Sequence, residues 1–295
     1  MLGSGPMIHR LDGIVPAVQA GASVPHTRRA AHSLMPYLLD VSHLMRAARR
    51  CMRRAGAPGS DGVSWATYRN GLRGRLAELS ERIRCGDWHP APIRPVEIVS
   101  YTGKVFTAAI PTVEDRIVHR AMSTALDPIL DQVLADWVSA YRPGRNRITA
   151  QRHADAHRRA GNRWAADVDV AGASTGGRVD QLVDWLAEHV TDGSFLSLFG
   201  RALSGLPSPL VPGTGLWPAV FHLRLAQVDR QLDELRIVRF ADNYLALAPD
   251  ADAAESAYDR IAVALRSIDL SPHPRKSAIR PPQLTNPEDL FLIDG

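Results

Sequence analysis

The sequence predicts an α+β fold, because stretches with the apolar spacing of helices occur alongside stretches with the alternation of β-strands. Apolar residues recur at helical intervals over 115–134 and 251–268, whereas small or apolar residues alternate with acidic ones over 164–170. Of the 295 residues, 45% are hydrophobic, which is enough to bury one large core or two small ones.

The first predicted helix follows a stretch rich in Gly, Pro, Ala and Ser that ends near Pro36. One apolar helical face is formed by Leu38, Leu39, Val41, Leu44 and Met45. An arginine-rich run at 46–54 continues this helix up to a break rich in Gly and Pro at 56–59. The run is interpreted as a solvated helix face, with contact to phosphate groups as the alternative.

The same spacing rules predict the later elements. Further helices are expected at 65–85, 115–134, 179–190, 216–235 and 251–268. A β-hairpin is expected between residues 93 and 110. Residues 236–248 are expected to form two strands that turn at Asp242 and Asn243.

The charge of the chain favours a polyanionic partner without requiring one. The formal net charge is +4 and the sequence pI is about 9.4. A net charge of this size is also compatible with a solvated surface. Every Lys or Arg position except Lys104 and Lys276 is arginine, so the compact ammonium group of lysine is kept at two places.

Cysteine usage and hydropathy restrict the setting of the protein. Cys51 and Cys85 lack the paired spacing of a zinc site or a disulfide framework. The apolar stretch at 14–22 is short and contains a proline, so neither a membrane anchor nor a secretory signal is expected. The sequence therefore predicts a protein of the reducing cytoplasm that has no membrane partner.

Eight short segments occur in the order of the sequence blocks of one polymerase family. They lie at 55–62, 88–96, 103–104, 110–116, 141–145, 164–170, 240–243 and 274–277. Together they resemble the fingers and palm of bacterial reverse transcriptases of the group II intron type. The resemblance implies a right-hand polymerase fold with an antiparallel palm sheet packed on helices. It also implies a tail or arm at 1–36, fingers at 37–160 and a palm at 161–295, with the thumb absent.

The resemblance places a metal-dependent site on two of these segments. Two-metal polymerases need carboxylates from separate strands that hold Mg²⁺ ions against the reacting oxygens. The family's first metal-binding aspartate falls on Asp169, and the first aspartate of its Tyr-Ala-Asp-Asp turn falls on Asp242. Asp167 lies two residues before Asp169 on the same strand face and is an alternative ligand. The competing interpretation is that these are ordinary carboxylates of a turn and a strand end.

The expected catalytic set is incomplete. Asn243 occupies the position of the turn's second aspartate, and an amide oxygen attracts Mg²⁺ less than a carboxylate does. Ser174 replaces the aromatic residue that excludes a 2′-hydroxyl in the family. Phe106 replaces an arginine that contacts the triphosphate, although Lys104 remains as a phosphate contact. Lys276 matches a family lysine that lies close to the nucleotide.

A further departure affects the segment that lines the family's nucleotide pocket. The segment reads PGTGLWP at 212–218, where the family has Gln-Gly and then Ser-Pro. Gly213 is retained, whereas Pro212 removes the glutamine side chain and Trp217 introduces an indole. The indole is expected to fill the pocket, unless the block is displaced by a residue or two.

Nucleic-acid contact is expected from the segment YRPGR at 141–145, which the resemblance places near the template strand. Arg142 and Arg145 are the leading candidates, because guanidinium groups bind phosphate through paired hydrogen bonds. The arginines between 147 and 159 are interpreted chiefly as an exposed helix face.

Three functions agree with these observations. The leading hypothesis is a reverse-transcriptase-like protein that binds RNA or an RNA–DNA duplex, is catalytically impaired or inactive, and works with a protein partner that supplies the missing thumb. The second is an active RNA-directed DNA polymerase with an atypical Mg²⁺ site. The third is a protein–protein scaffold on a polymerase fold. Mobile-element ancestry and antiviral defence both fit the family.

Overall fold

The computed structural model describes residues 33–54, 56–99, 103 and 105–291. Apart from its last four positions, the predicted tail at 1–36 lies outside the described residues, and so does Lys104. The described helices are α1 (Met35–Leu39), α2 (Val41–Met52), α3 (Trp65–Tyr68), α4 (Leu72–Cys85), α5 (Val113–Val133), α6 (Arg147–Arg159), α7 (Val179–Ala187), α8 (Gly193–Ser204), α9 (Trp217–Asp229) and α10 (Ala251–Arg266).

The described strands form two separate antiparallel sheets. They are β1 (Arg94–Val99), β2 (Val105–Ile110), β3 (Trp164–Ala171), β4 (Ile237–Phe240), β5 (Asn243–Ala248), β6 (Ser271–Pro272) and β7 (Ala278–Arg280). β1 and β2 pair with each other, as expected for a hairpin between residues 93 and 110. Short 3₁₀ turns at Pro282–Leu284 and Pro287–Asp289 follow the last strand.

The helices of the first half pack around α5. α2 packs against both α5 and α4, and it contributes the fully buried Leu44 to the core. Asp40 separates α1 from α2 and caps α2, because its carboxylate accepts hydrogen bonds from the backbone N–H groups of Ser42 and His43. The sequence had predicted one helix here, and this cap divides it into two.

β3 is the central strand of the main sheet. It pairs with β5 on one side and with β6 and β7 on the other, while β4 forms the far edge beside β5. Side chains alternate between the two faces of the sheet. Ala165 and Leu245 share a core cluster with α6, whereas Ala166 and Ala246 share one with α10. An antiparallel sheet between helices confirms the predicted α+β fold class.

Three further local features differ from what the sequence predicted. The helix predicted at 65–85 is divided into α3 and α4, because Gly71 adopts φ of 69° before α4 begins. The turn predicted at Asp242 and Asn243 is formed by Ala241 and Asp242, so that Asn243 begins β5. α8 was not predicted, although Asp192 caps it by accepting a hydrogen bond from a backbone N–H group.

Among the described residues, none of the helices has both the length and the apolar character that a bilayer crossing requires. The division into fingers at 37–160 and palm at 161–295 stays a prediction.

His119 is fully buried in α5, and neither of its ring nitrogens has a hydrogen-bond partner among the described residues. Burial lowers the pKa of His119 to about 4, from an ordinary value of 6.5. The unfolded chain therefore binds more protons between these two pH values, and stability falls as the pH falls through this window.

We expect His119→Leu to remove this acid sensitivity. Between pH 7 and pH 5, the unfolding free energy of the wild type should fall by on the order of 2 kcal/mol more than that of the variant. Urea unfolding at both pH values measures the difference. His89→Gln, at an exposed position, is the control. Equal pH dependence in wild type and His119→Leu would contradict a buried neutral imidazole.

Candidate active site

The candidate site is centred on the two-residue turn between β4 and β5. Phe240 pairs with Asn243 across the hairpin, and Ala241 adopts a φ of 55°, a conformation that alanine rarely takes. The carbonyl oxygen of Asp242 accepts a hydrogen bond from the backbone N–H of Val170, at 3.1 Å. This bond fixes the turn against the end of β3.

A cavity of about 590 Å³ opens at this turn. Its wall includes the predicted metal ligands Asp167, Asp169 and Asp242, together with Asn243 and Lys276. The structure thus brings together five residues that sequence reasoning had selected from three separate segments. Antiparallel pairing explains the closeness, because it places Asp169 directly opposite Asn243.

Asp169 lies at the end of β3, where the segment before β7 holds the backbone. Its carbonyl oxygen accepts a hydrogen bond from the backbone N–H of His273 at 2.7 Å and another from the Ser277 hydroxyl at 3.2 Å. The same segment carries Lys276, whose Nζ lies 3.7 Å from Oδ2 of Asp169. A cation therefore lies beside the first predicted metal ligand.

Asp167 is buried, and both of its carboxylate oxygens are occupied by other side chains. The Asn243 amide donates to Oδ1 at 2.8 Å, and the Arg280 guanidinium donates to Oδ2. The residue at the turn's second aspartate position thus bonds to the alternative metal ligand. A carboxylate at position 243 would instead place two negative charges face to face.

Asp242 is the partly buried carboxylate of the turn. Burial raises the pKa of Asp242 above its ordinary value, and the neighbouring Asp169 carboxylate raises it further. Lys276 and Arg239 oppose this rise. Within the site, Asp242 therefore holds a proton more readily than an exposed aspartate does.

A buried polar triad supports the turn from behind. Arg239 is fully buried, and it donates to Asp229 through Nε at 2.9 Å and through Nη2 at 2.5 Å. Tyr244 donates its hydroxyl to the same carboxylate at 2.7 Å. Nη1 of Arg239 donates to the carbonyl oxygen of Ala241 at 3.0 Å. The triad therefore connects α9 with the turn that carries Asp242.

The donor set does not match the two-metal arrangement implied by the resemblance. Hard cations such as Mg²⁺ prefer several carboxylate oxygens free of competing cations. Here Asp169 and Asp242 remain, but Asp169 faces Lys276 and Asp167 is held by Arg280. In the part of the chain that the structure describes, no group of three or more His, Cys, Asp or Glu side chains is arranged to hold a metal ion.

Trp217 and Ser174, whose nucleotide-binding roles stay predictions, are in contact with each other. The indole N–H of Trp217 donates to the carbonyl oxygen of Ser174 at 3.2 Å. The indole also stacks on Phe221, with ring centroids 4.8 Å apart, and meets the Tyr141 ring edge-on at 5.1 Å. Aromatic contacts of this kind stabilise the ring in place.

Two other nucleotide-binding candidates, Gly213 and Phe106, lie beside or within β2. Gly213 has a φ of 100°, and a side chain at this position would approach the carbonyl oxygen of Ala109 to 3.2 Å. Phe106 belongs to β2 and pairs with Ile98, but its side chain lies outside the described part of the structure. The roles proposed for Lys104, Phe106 and Gly213 stay predictions.

Arg142 and Arg145 both bond to groups within the chain. Arg142 is buried, forms an ion pair with Asp131 at 2.8 Å, and donates to three backbone carbonyl oxygens. Arg145 pairs with Asp136 at 2.9 Å and keeps about a quarter of its side-chain surface exposed. The geometry gives Arg142 a structural role. Phosphate contact by either residue stays a prediction, with Arg145 the more accessible.

Sequence reasoning missed Arg239, Asp229 and Arg280. An arginine between Val238 and Phe240, in an otherwise apolar strand, signals a buried partner, because a charge is tolerated in a core only when paired. Arg280 left no comparable signal, since β7 has three residues and its partner Asp167 is 113 positions away.

The candidate site lies in the part of the chain that is similar to known sequences. The sequence model of the family described as reverse transcriptase (RNA-dependent DNA polymerase) matches residues 101–285, which is well over half of the chain. The protein YkfC of Escherichia coli (strain K12) is 28% identical over 218 residues, which are 68% of this chain and 57% of YkfC. The chain thus spans a little over half the length of this curated relative.

Two solved structures show a limited similarity to this chain. A chain of the partial Cas6-RT-Cas1–Cas2 complex has a TM-score of 0.46 and 16% identity, covering 79% of this chain and 42% of that one. A chain of the Cas6-RT-Cas1–Cas2 complex has the same TM-score and identity, and 26% of its length is covered.

Proposed function

This chain belongs to the reverse transcriptase (RNA-dependent DNA polymerase) family and has its fingers-and-palm α+β fold, and from that premise we propose that it binds nucleic acid with impaired polymerisation. Its ligand is RNA or an RNA–DNA duplex, bound across the fingers and palm. The protein works within a larger assembly that includes a protein partner.

The single observation that carries this proposal is the pairing of Asp167 with Asn243 and Arg280. The amide of Asn243 donates to one carboxylate oxygen and Arg280 binds the other. Mg²⁺ would have to displace an amide and a guanidinium to reach Asp167. Two carboxylates are left where transfer of a nucleotidyl group calls for a pair of well-held metal ions.

Trp217 supports the same conclusion from the nucleotide side. Its indole occupies the region beside Ser174 and is held by Phe221 and Tyr141. Moving the ring would break the hydrogen bond to Ser174 and the aromatic contacts. A nucleotide therefore has to compete with the side chain for this space.

The alternative is an active RNA-directed DNA polymerase with an atypical site. It is favoured by Asp169 and Asp242, which both line the cavity at the positions of the family's metal ligands. In that case the two carboxylates hold Mg²⁺, Lys276 contacts phosphate, and Ser174 permits ribonucleotides as well as deoxyribonucleotides.

Primer extension on an RNA template separates these two functions. With Mg²⁺ or Mn²⁺, we expect incorporation by the wild type to remain at the level of Asp242→Asn, a variant that keeps the shape of the turn. An active reverse transcriptase of the same family, purified by the same procedure, serves as the positive control. Robust incorporation that Asp242→Asn abolishes would overturn the proposal in favour of the active polymerase.

RNA binding is measured separately, by fluorescence anisotropy over a series of salt concentrations. Phosphate contacts predict an affinity that falls steeply as salt rises. RNA binding that is absent at low salt would argue for a protein–protein scaffold instead.

A further inference from the structure

The outward face of α2 carries a dense group of positive charge that the site does not use. This arginine face consists of Arg46, Arg49, Arg50, Arg53 and Arg54. All five side chains are exposed. Their spacing places them on one side of the helix or its immediate continuation, because residues three and four apart are neighbours on a helix surface.

The opposite face of α2 is fixed in the core. Leu44, Ala47 and Ala48 are buried, and the His43 ring bonds to the carbonyl oxygen of Ala121 in α5 at 2.9 Å. The helix therefore cannot rotate to bring its arginines elsewhere. The packing of α2 on α4 and α5 determines which face of the helix points to solvent.

Within the part of the chain that the structure describes, no carboxylate pairs directly with this face. Among the described residues, none of the five guanidinium groups has a hydrogen bond or ion pair, and α2 contains no acidic residue. Asp40, which caps the start of α2, attracts Arg46, and Asp127 of α5 attracts Arg50, but neither carboxylate forms an ion pair with its arginine. Without the five arginines, the formal net charge of the chain would change from +4 to −1.

Unpaired arginines at this density contrast with those elsewhere in the fold. Arg142, Arg145 and Arg239 each bind a carboxylate within the chain. Like charges at neighbouring helix positions repel one another and destabilise a helix. A ligand that carries several negative charges would remove this repulsion.

The surface is also concave. A groove of about 320 Å³ lies between α2 and α5, lined by four of the arginines together with His43 and Thr124. The four arginines, from Arg46 to Arg53, span about 10 Å along the helix axis. Several phosphate groups of one strand fit within this reach.

We propose that the arginine face of α2 binds the phosphate backbone of RNA, as a contact surface additional to the palm cavity. This inference rests on the proposed function, which supplies RNA as the polyanion. Guanidinium groups suit phosphate because each presents paired N–H donors to two oxygens. An anionic membrane fits less well, because a membrane-surface helix inserts its apolar face and the apolar face of α2 is buried in the protein.

The test compares two variants of equal charge. In one, Arg49, Arg50 and Arg53 are changed to Gln; in the other, the exposed Arg163, Arg236 and Arg266 are changed to Gln. Binding of a labelled RNA hairpin is followed by anisotropy against salt. We expect the α2 variant to bind about tenfold more weakly and its salt slope to fall by about 2, since each lost phosphate contact contributes about 0.7 to 0.9. The control variant should change less than about twofold.

A further variant and a folding control complete the experiment. Arg49→Lys, Arg50→Lys and Arg53→Lys together should restore most of the affinity, because the charge is kept, and circular dichroism checks folding throughout. Equal losses in both Gln variants would overturn the inference, since net charge alone would then explain binding. The inference is also overturned if the α2 Gln variant binds RNA as tightly as the wild type does, even if that variant no longer binds phosphatidylserine vesicles. A wild type with no RNA affinity would overturn the proposed function itself.

Discussion

Replacing Arg239 with methionine is expected to lower the free energy of unfolding by about 3–5 kcal/mol. The substitution removes the cation from a fully buried triad and leaves the Asp229 carboxylate without its bidentate partner. Burial already raises the pKa of Asp229, and Arg239 opposes that rise. The carbonyl oxygen of Ala241 also loses its donor, so the turn that carries Asp242 loosens.

Urea unfolding monitored by circular dichroism measures this loss. The matched control replaces the whole triad with apolar residues, as Asp229→Leu, Arg239→Met and Tyr244→Phe in one protein. This control should be more stable than Arg239→Met alone, because no unpaired charge remains in the core. A single variant as stable as the wild type would mean that the triad contributes little to the fold.

Changing Asn243 to aspartate is expected to make the stability of the protein depend on Mg²⁺. In a chelator, Asn243→Asp should be about 2–3 kcal/mol less stable than the wild type, because Asp167 loses a hydrogen-bond donor and faces a second carboxylate. A divalent cation that binds between these carboxylates removes the repulsion. Added Mg²⁺ should therefore raise the melting temperature of this variant more than that of the wild type.

Asn243→Ala is the matched control for this experiment. It removes the same hydrogen bond to Asp167 without adding charge, so it should be destabilised in the chelator and gain nothing from Mg²⁺. Thermal melts of the three proteins, with and without Mg²⁺, separate the two effects. Equal stabilisation of wild type and Asn243→Asp by Mg²⁺ would show that the present site already holds the ion, and would favour the active polymerase.

The main elements of the fold were predictable because their signals are local. Alternation over 164–170 identified β3, and the apolar period over 251–268 identified α10, which ends at Arg266. The closeness of Asp169 and Asp242 also followed from the order of the segments, since antiparallel strands bring a strand end and a turn together. Boundaries shifted where a single residue ended an element, as Gly71 does between α3 and α4.

The state of the candidate site was less predictable, because it depends on partners distant in sequence. Asn243 was identified as a lost carboxylate, but its bond to Asp167 appears only when β3 and β5 are in register. The second partner, Arg280, lies in a strand of three residues, which is too short for any period to be recognised. The internal pairing of Arg142 with Asp131 was also not predicted, because Asp131 lies in α5 and Arg142 lies beyond its end, where no helical spacing relates the two.

The central position of β3 has a consequence for how the protein is made. Its partners β5, β6 and β7 all come later in the chain, and Ala278 of β7 is synthesised more than one hundred residues after β3 ends. At ribosomal speeds of about 5–20 residues per second, β3 waits roughly 5 to 20 seconds for its last partner. During this interval it exposes unpaired edges that can join other chains. Newly made protein should therefore depend on chaperones, and slower translation of residues 172–280 should increase its aggregation.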